Sequence, residues 1–145
     1  YQSQWFTSAD EALQVLHEGS FDVVLTDLKM PGISGLDVLD RVVPMKLDML
    51  TIMITAYASF ESAVESMKEG AYDYITKPFD PRDMLNAIDR ALTVTRLRRE
   101  KEALTAQVMQ TNQQLTQRNG AVTPDHQPGG DLALGVGNRF VHLTG

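Results

Sequence analysis

The sequence contains no cysteine, so disulfide bonds, thiolate zinc sites and cysteine nucleophiles are all excluded. Its three histidines, at positions 17, 126 and 142, lie far apart, which argues against a histidine metal cluster. No apolar stretch approaches the roughly 20 residues that a membrane-spanning helix needs, and no secretory signal opens the chain. We therefore expect a cytoplasmic protein without a membrane partner. The first residue is Tyr1 rather than Met, and we expect the chain to start within a longer protein.

The net charge of -6 is divided unevenly along the chain. Residues 1–95 carry 7 Lys and Arg against 15 Asp and Glu, residues 96–119 carry 5 against 2, and residues 120–145 carry 1 against 2. An acidic body repels the phosphate backbone of nucleic acids. Glutamates interrupt the short basic segment, which favours a solvated helix face there, so we expect no direct nucleic-acid binding.

Short apolar runs alternate with amphipathic segments of about ten residues. The strand-like runs are residues 4–7, 21–26, 50–55 and 72–76, and helices are predicted to begin after Ser8, Ser34, Ser59 and Asp80. This alternation predicts a doubly wound parallel α/β sheet. Only four strands are predicted. We expect the first strand and helix of a complete domain to be missing, which would leave apolar sheet surface exposed.

The last helix is predicted to continue beyond the domain. From Val94 to Leu115, apolar residues fill five of seven positions spaced by three and four. A short parallel coiled coil that forms a homodimer and a single exposed helix both remain open. Gly and Pro residues after position 120 indicate a linker. The chain thus divides into a domain of residues 1–95, a helical connector of residues 96–119 and a tail of residues 120–145 without an assigned role.

Three polar residues each end a predicted strand: Asp27, Thr55 and Lys77. Ligand sites in parallel sheets lie at the carboxyl ends of the strands, so we expect these side chains to meet at one edge. A carboxylate, a hydroxyl and an ammonium group could supply a nucleophile and two groups that hold a phosphoryl oxygen. Taken alone, Asp27 could instead cap the turn that follows it.

Three sequence blocks resemble the receiver domain of two-component response regulators, most closely the NtrC-like type. They are residues 27–35 (DLKMPGISG), 54–57 (ITAY) and 70–79 (GAYDYITKPF). The resemblance covers residues 1 to about 95. It implies a flavodoxin-like receiver fold that lacks its first strand and helix and carries a long C-terminal helix. It also implies a protein, not itself an enzyme, that accepts a phosphoryl group from a sensor histidine kinase or phosphotransfer protein and controls an output domain, in transcription regulation.

The resemblance assigns roles to individual residues. Asp27 would be the phosphoacceptor, Lys77 and Thr55 would hold the phosphoryl oxygens, and Tyr74 would follow Thr55 inward. Ala56 matches the small residue beside the family's site.

Two further features are implied by the resemblance. The bond between Lys77 and Pro78 matches a cis peptide of the family. The family binds Mg²⁺ through the acceptor, here Asp27, a backbone carbonyl, here that of Lys29, and an acidic pair at the end of its first strand. No residue of this chain matches that pair, so we expect half a metal site. This mismatch motivates the alternative hypothesis, a receiver-like interaction and dimerisation module that is not phosphorylated.

Overall fold

The computed structural model describes residues 1–19, 21–45, 48–56, 59–119 and 139–144. Five strands and four α-helices form, in chain order, β1 (Gln2–Phe6), α1 (Ala9–Glu18), β2 (Val23–Asp27), α2 (Gly35–Val42), β3 (Leu50–Thr55), α3 (Phe60–Lys68), β4 (Asp73–Thr76), α4 (Pro81–Arg118) and β5 (Arg139–Leu143). A 3-10 turn at Val43–Met45 follows α2. None of the helices in these ranges is long and apolar enough to cross a lipid bilayer.

The strands form one parallel sheet in the order β1-β5-β2-β3-β4. The predicted doubly wound α/β class and the long C-terminal helix are therefore confirmed. The four helix starts are confirmed as well, because Ser8, Ser34, Ser59 and Asp80 are the N-cap residues. Each of these side chains accepts a hydrogen bond from a backbone N–H of the first helical turn, which is otherwise without a partner.

The prediction of only four strands is wrong. Part of the predicted tail, Arg139–Leu143, forms β5 and lies between β1 and β2. Val141 and Leu143 on β5 are fully buried. This strand was not predicted because it is only five residues long and pairs with strands far away in the chain. The predicted linker before it lies outside the described residues.

The first strand of the chain depends on the last one. β1 pairs only with β5 among the described strands, from Gln2 beside Arg139 to Phe6 beside Leu143. β5 in turn pairs with β2, from Val23 beside Phe140 to Thr26 beside Leu143. β5 therefore supplies the hydrogen bonds that join β1 to the rest of the sheet.

A buried carboxylate anchors the start of β5. Asp22 precedes β2, and its Oδ2 accepts a hydrogen bond from the N–H of Arg139 at 2.8 Å, while its own N–H donates to the carbonyl of Arg139 at 2.7 Å. Its Oδ1 lies 2.5 Å from Nη1 of Arg99 on α4. Arg99 also donates to the carbonyl oxygen of Asp48 at 3.2 Å. Asp22 thus fastens both β5 and α4 to the amino end of β2.

Helices cover the sheet from both sides. Helices α1 and α2 pack with Val24, Val141 and Leu143 on one face, and α4 packs over β2 and β3 on the other through Ile88 and Leu92. Ala63 and Val64 on α3 are only half-buried. Ser66 is the buried residue of α3, whereas Met67 is 48% exposed.

Helix α4 changes character along its length. Its buried residues end at Thr95, and Arg99 makes the last ion pairs with the body of the domain. Residues 100–118 are exposed and still helical. At 1.5 Å of rise per residue, this part of α4 extends about 28 Å beyond the sheet.

We predict that the substitution Val141→Ala lowers the free energy of unfolding by about 2 kcal/mol, because it opens a cavity in the centre of the sheet. Urea unfolding followed by circular dichroism measures the loss. The matched control Val43→Ala removes the same atoms from a half-exposed side chain and should cost less than about 0.5 kcal/mol. Equal losses would show that β5 does not occupy the sheet centre.

Candidate functional site

The site is built around the carboxylate of Asp27. This residue ends β2, and β2 lies between β5 and β3, so the side chain projects from the middle of the carboxyl edge. The Asp27 side chain is only 13% exposed. Its Oδ1 accepts a hydrogen bond from the backbone N–H of Lys29 at 3.3 Å, which orients the carboxylate over the turn.

Lys77 supplies the counter-charge. Its Nζ lies 2.7 Å from Oδ2 of Asp27, although fifty residues separate the two in the chain. The backbone N–H of Lys77 donates to the carbonyl of Thr55 at 2.7 Å, which places the residue just past the end of β4. The peptide bond between Lys77 and Pro78 is cis. The predicted convergence of Asp27 and Lys77 at one edge is therefore present in the structure.

Three more residues named from the sequence lie on the side of the site formed by β3 and β4. Thr55 is the last residue of β3 and is buried, and Ala56 follows it and is exposed. In the register of the sheet Asp27 pairs with Ile54, so Thr55 lies one step further toward the edge. Tyr74 is half-buried on β4, and its hydroxyl group lies 3.1 Å from Oγ of Ser62 on α3. Tyr74 thereby connects the sheet to the first turn of α3.

The turn after Asp27 requires a glycine at its end. The N–H of Gly35 donates to the carbonyl of Leu28 at 2.9 Å, which brings the start of α2 against β2. A Cβ atom on Gly35 would lie 2.3 Å from the carbonyl oxygen of Asp27. Ser34 and Asp37 complete this helix start with a capping box, and the hydrogen bonds from Ser34 lower the pKa of Asp37 below its ordinary value.

Sequence reasoning missed His142, which it treated as an isolated histidine. β5 places this residue beside Leu25 of β2, two positions before Asp27. Burial lowers the pKa of His142, the positive charge of Lys77 lowers it further, and the negative charge of Asp27 opposes both effects. Its ring packs edge-on against Trp5 of β1, with 4.4 Å between centroids. Only the strand order, which the sequence did not reveal, brings His142 to the site.

The described residues do not fit a complete Mg²⁺ site. Mg²⁺ prefers octahedral oxygen ligands and is commonly held through carboxylates. Asp27 offers one carboxylate, which is already paired with Lys77. Within the described ranges, Asp, Glu and His side chains nowhere gather in a group of three that could hold a metal ion.

A parallel α/β sheet with an aspartate, a hydroxyl residue and a lysine at the carboxyl ends of three strands defines a receiver-type domain. Comparison with known families agrees: the response regulator receiver domain matches residues 1–89. The chain belongs to this family, as the three sequence blocks predicted.

Relatives of known name support the same assignment. The DNA-binding transcriptional regulator NtrC of Klebsiella pneumoniae is 35% identical over 88 residues, which cover 61% of this chain and 19% of that protein. A CheY-like receiver domain protein from Methanospirillum hungatei JF-1 superposes with a TM-score of 0.58 at 35% identity, covering 63% of this chain and 73% of that one. The beryllofluoride-activated NtrC4 receiver domain dimer superposes with a TM-score of 0.58 at 30% identity, covering 61% and 74%. The chain spans about a fifth of the length of the curated relatives.

We predict that Gly35→Ala destabilises the domain by about 2 kcal/mol, because the added methyl group overlaps the carbonyl oxygen of Asp27 and the backbone must shift. Urea unfolding provides the measurement. Gly32→Ala is the control: its φ of +88° strains an alanine, but the position faces open space, so a cost of only about 1 kcal/mol is expected. A larger loss for the control would contradict this account of the turn.

Proposed function

We propose that this chain is a phosphoacceptor switch, in which Asp27 receives a phosphoryl group from a histidine of a sensor kinase or phosphotransfer protein. The contact that supports this most directly is the 2.7 Å pair between Asp27 and Lys77 at the carboxyl edge of a receiver sheet. A nucleophile and a cation are both in place there before any donor arrives. Preorganised charge of this kind costs no rearrangement during the reaction.

The transfer requires few groups from the protein. An oxygen of the Asp27 carboxylate forms a bond to phosphorus as the bond from phosphorus to the donor's imidazole nitrogen breaks, and that nitrogen keeps the electron pair. The Lys77 ammonium neutralises charge on the transferred oxygens, and the Thr55 hydroxyl donates a hydrogen bond to one of them. The chain is itself the phosphoryl acceptor and is modified in the reaction, so it is not an enzyme in the usual sense.

A conformational signal follows from the contact of Tyr74. Its hydroxyl group is bonded to Ser62 in the first turn of α3. Movement of Thr55 toward a phosphoryl group frees space behind it, and Tyr74 turns into that space. The bond to Ser62 then breaks, so phosphorylation at one edge alters the surface of α3.

We predict that the chain incubated with acetyl phosphate and Mg²⁺ gains one phosphoryl group at Asp27, because Lys77 lies beside this carboxylate at the edge of the sheet. Intact mass and peptide mass spectrometry locate the group. Asp27→Asn should abolish the labelling. The control Asp40→Asn changes an exposed aspartate of α2 and should leave it unchanged. Labelling that survives Asp27→Asn, with circular dichroism showing a folded protein, would refute the assignment.

The projecting part of α4 supports a second component of the proposal, a homodimer. Four apolar residues of the predicted seam are each more than half exposed: Leu97, Leu104, Val108 and Leu115. A parallel coiled coil between two copies would bury them, although Lys101 and Thr111 interrupt the seam. The related NtrC4 receiver is described as a dimer. Helix α4 would then carry the state of the site to an output domain, and the name of the NtrC relative supports transcription as the output. We place the protein in the cytoplasm with its kinase.

We predict that sedimentation velocity detects a dimer at micromolar concentration and that Leu104→Lys shifts it to monomer, because the new ammonium group would be buried at the seam. Met109→Lys is the matched control, since Met109 is equally exposed on α4 but lies outside the seam. A native chain that is monomeric throughout, or an equal effect of both substitutions, would remove the dimer from the proposal.

One observation favours the alternative function, an interaction module that is not phosphorylated: the described edge holds a single carboxylate already paired with Lys77. That alternative would leave Asp27 unlabelled by acetyl phosphate while the dimer persisted. The labelling and sedimentation experiments together therefore separate the two functions.

A further inference from the structure

β5 pairs with β2 and therefore determines which chemical groups lie next to Asp27 on that side. Leu143 of β5 pairs with Thr26 of β2, so Thr144, one residue further along, lies level with Asp27. The N–H of Thr144 donates to the carbonyl of Phe6 at 3.4 Å, which keeps the residue against β1 at this edge. Thr144 is half-exposed. Because residues opposite each other in register share a face of the sheet, the side chains of Thr144 and Asp27 lie on the same side.

The charges at this edge leave little attraction for a divalent cation. The Asp27 carboxylate and the Lys77 ammonium cancel each other. The nearest titratable group on β5 is His142, whose pKa is lowered by burial and by the positive charge of Lys77. A cation at Asp27 would therefore meet one carboxylate and would have to displace the lysine.

Three carboxylates near the carboxyl ends of the strands are engaged elsewhere. Asp10 on α1 pairs with Arg41 at 3.2 Å, and Asp80 at the start of α4 pairs with Arg82 at 3.0 Å. Asp37 holds the capping box of α2 through Ser34. None of these three is directed to Asp27 by a described contact.

We infer that position 144 decides whether this edge holds a divalent cation, and that with threonine there Lys77 is the cation that balances Asp27. A hydroxyl group adds a ligand oxygen but no negative charge, and cation affinity in oxygen sites follows the number of charged ligands. A carboxylate at position 144 would stand beside Asp27 on the same face of the sheet and would supply the missing charge.

The experiment measures binding of Mg²⁺ and Mn²⁺ to the full chain, by isothermal titration calorimetry and by Mn²⁺ paramagnetic resonance. The native chain should bind no tighter than its Asp27→Asn variant. Thr144→Asp should bind about ten-fold or more tightly than the native chain. Thr144→Asn, of the same shape without the charge, should show no gain, and Thr144→Asp combined with Asp27→Asn should lose the gain.

Two results would overturn the inference: native binding that is saturable and lost in Asp27→Asn, or a folded Thr144→Asp variant that gains nothing. If Thr144→Asp does not fold, the comparison of the native chain with Asp27→Asn still decides. The inference deepens the proposed function, because it concerns the same carboxylate. The titrations contain no phosphoryl donor, so failure of the cation result and failure of the labelling at Asp27 are independent.

Discussion

The structure depends on the hydrogen bonds and the ion pair that Asp22 makes at the amino end of β2. One buried carboxylate accepts a hydrogen bond from the backbone N–H of Arg139 on β5 and pairs with the guanidinium group of Arg99 on α4. Burying a carboxylate is costly unless its oxygens are satisfied, and here both oxygens have a partner. The arrangement holds the start of β5 and the Arg99 position of α4 together at the amino end of β2. The projecting part of α4 therefore shares an anchor with β5, the strand that borders the site.

At the opposite end of β2, the pair of Asp27 and Lys77 performs a different task. Residues that end parallel strands at one edge can meet although they are far apart in the chain, and their position is set by backbone bonds such as that from Lys77 to Thr55. In the proposed function, the lysine would stabilise the carboxylate before a phosphoryl group arrives and would contact the phosphoryl oxygens afterwards. Its positive charge is held in place by the framework of the sheet.

Local signals made most of the fold predictable. Serine and aspartate caps marked all four helices, and β-branched apolar runs marked β2 and β3, because both signals lie within a few residues. Asp27, Thr55 and Lys77 were predictable since strand ends define the site of any parallel sheet. β5 was not, because its burial depends on partners more than a hundred residues away. The proximity of His142 and Thr144 to Asp27 was not predictable for the same reason.

The pairing of β1 with β5 has a consequence for biosynthesis. Gln2 pairs with Arg139, so the sequence separation is 139 less 2, or 137 residues. Closing so long a loop costs entropy that local contacts cannot repay, and contacts of this kind form late in folding. β1 must therefore wait for a segment that is synthesised more than a hundred residues later. Until then β1 and the neighbouring edge of β2 are open strand edges, which can pair with other chains.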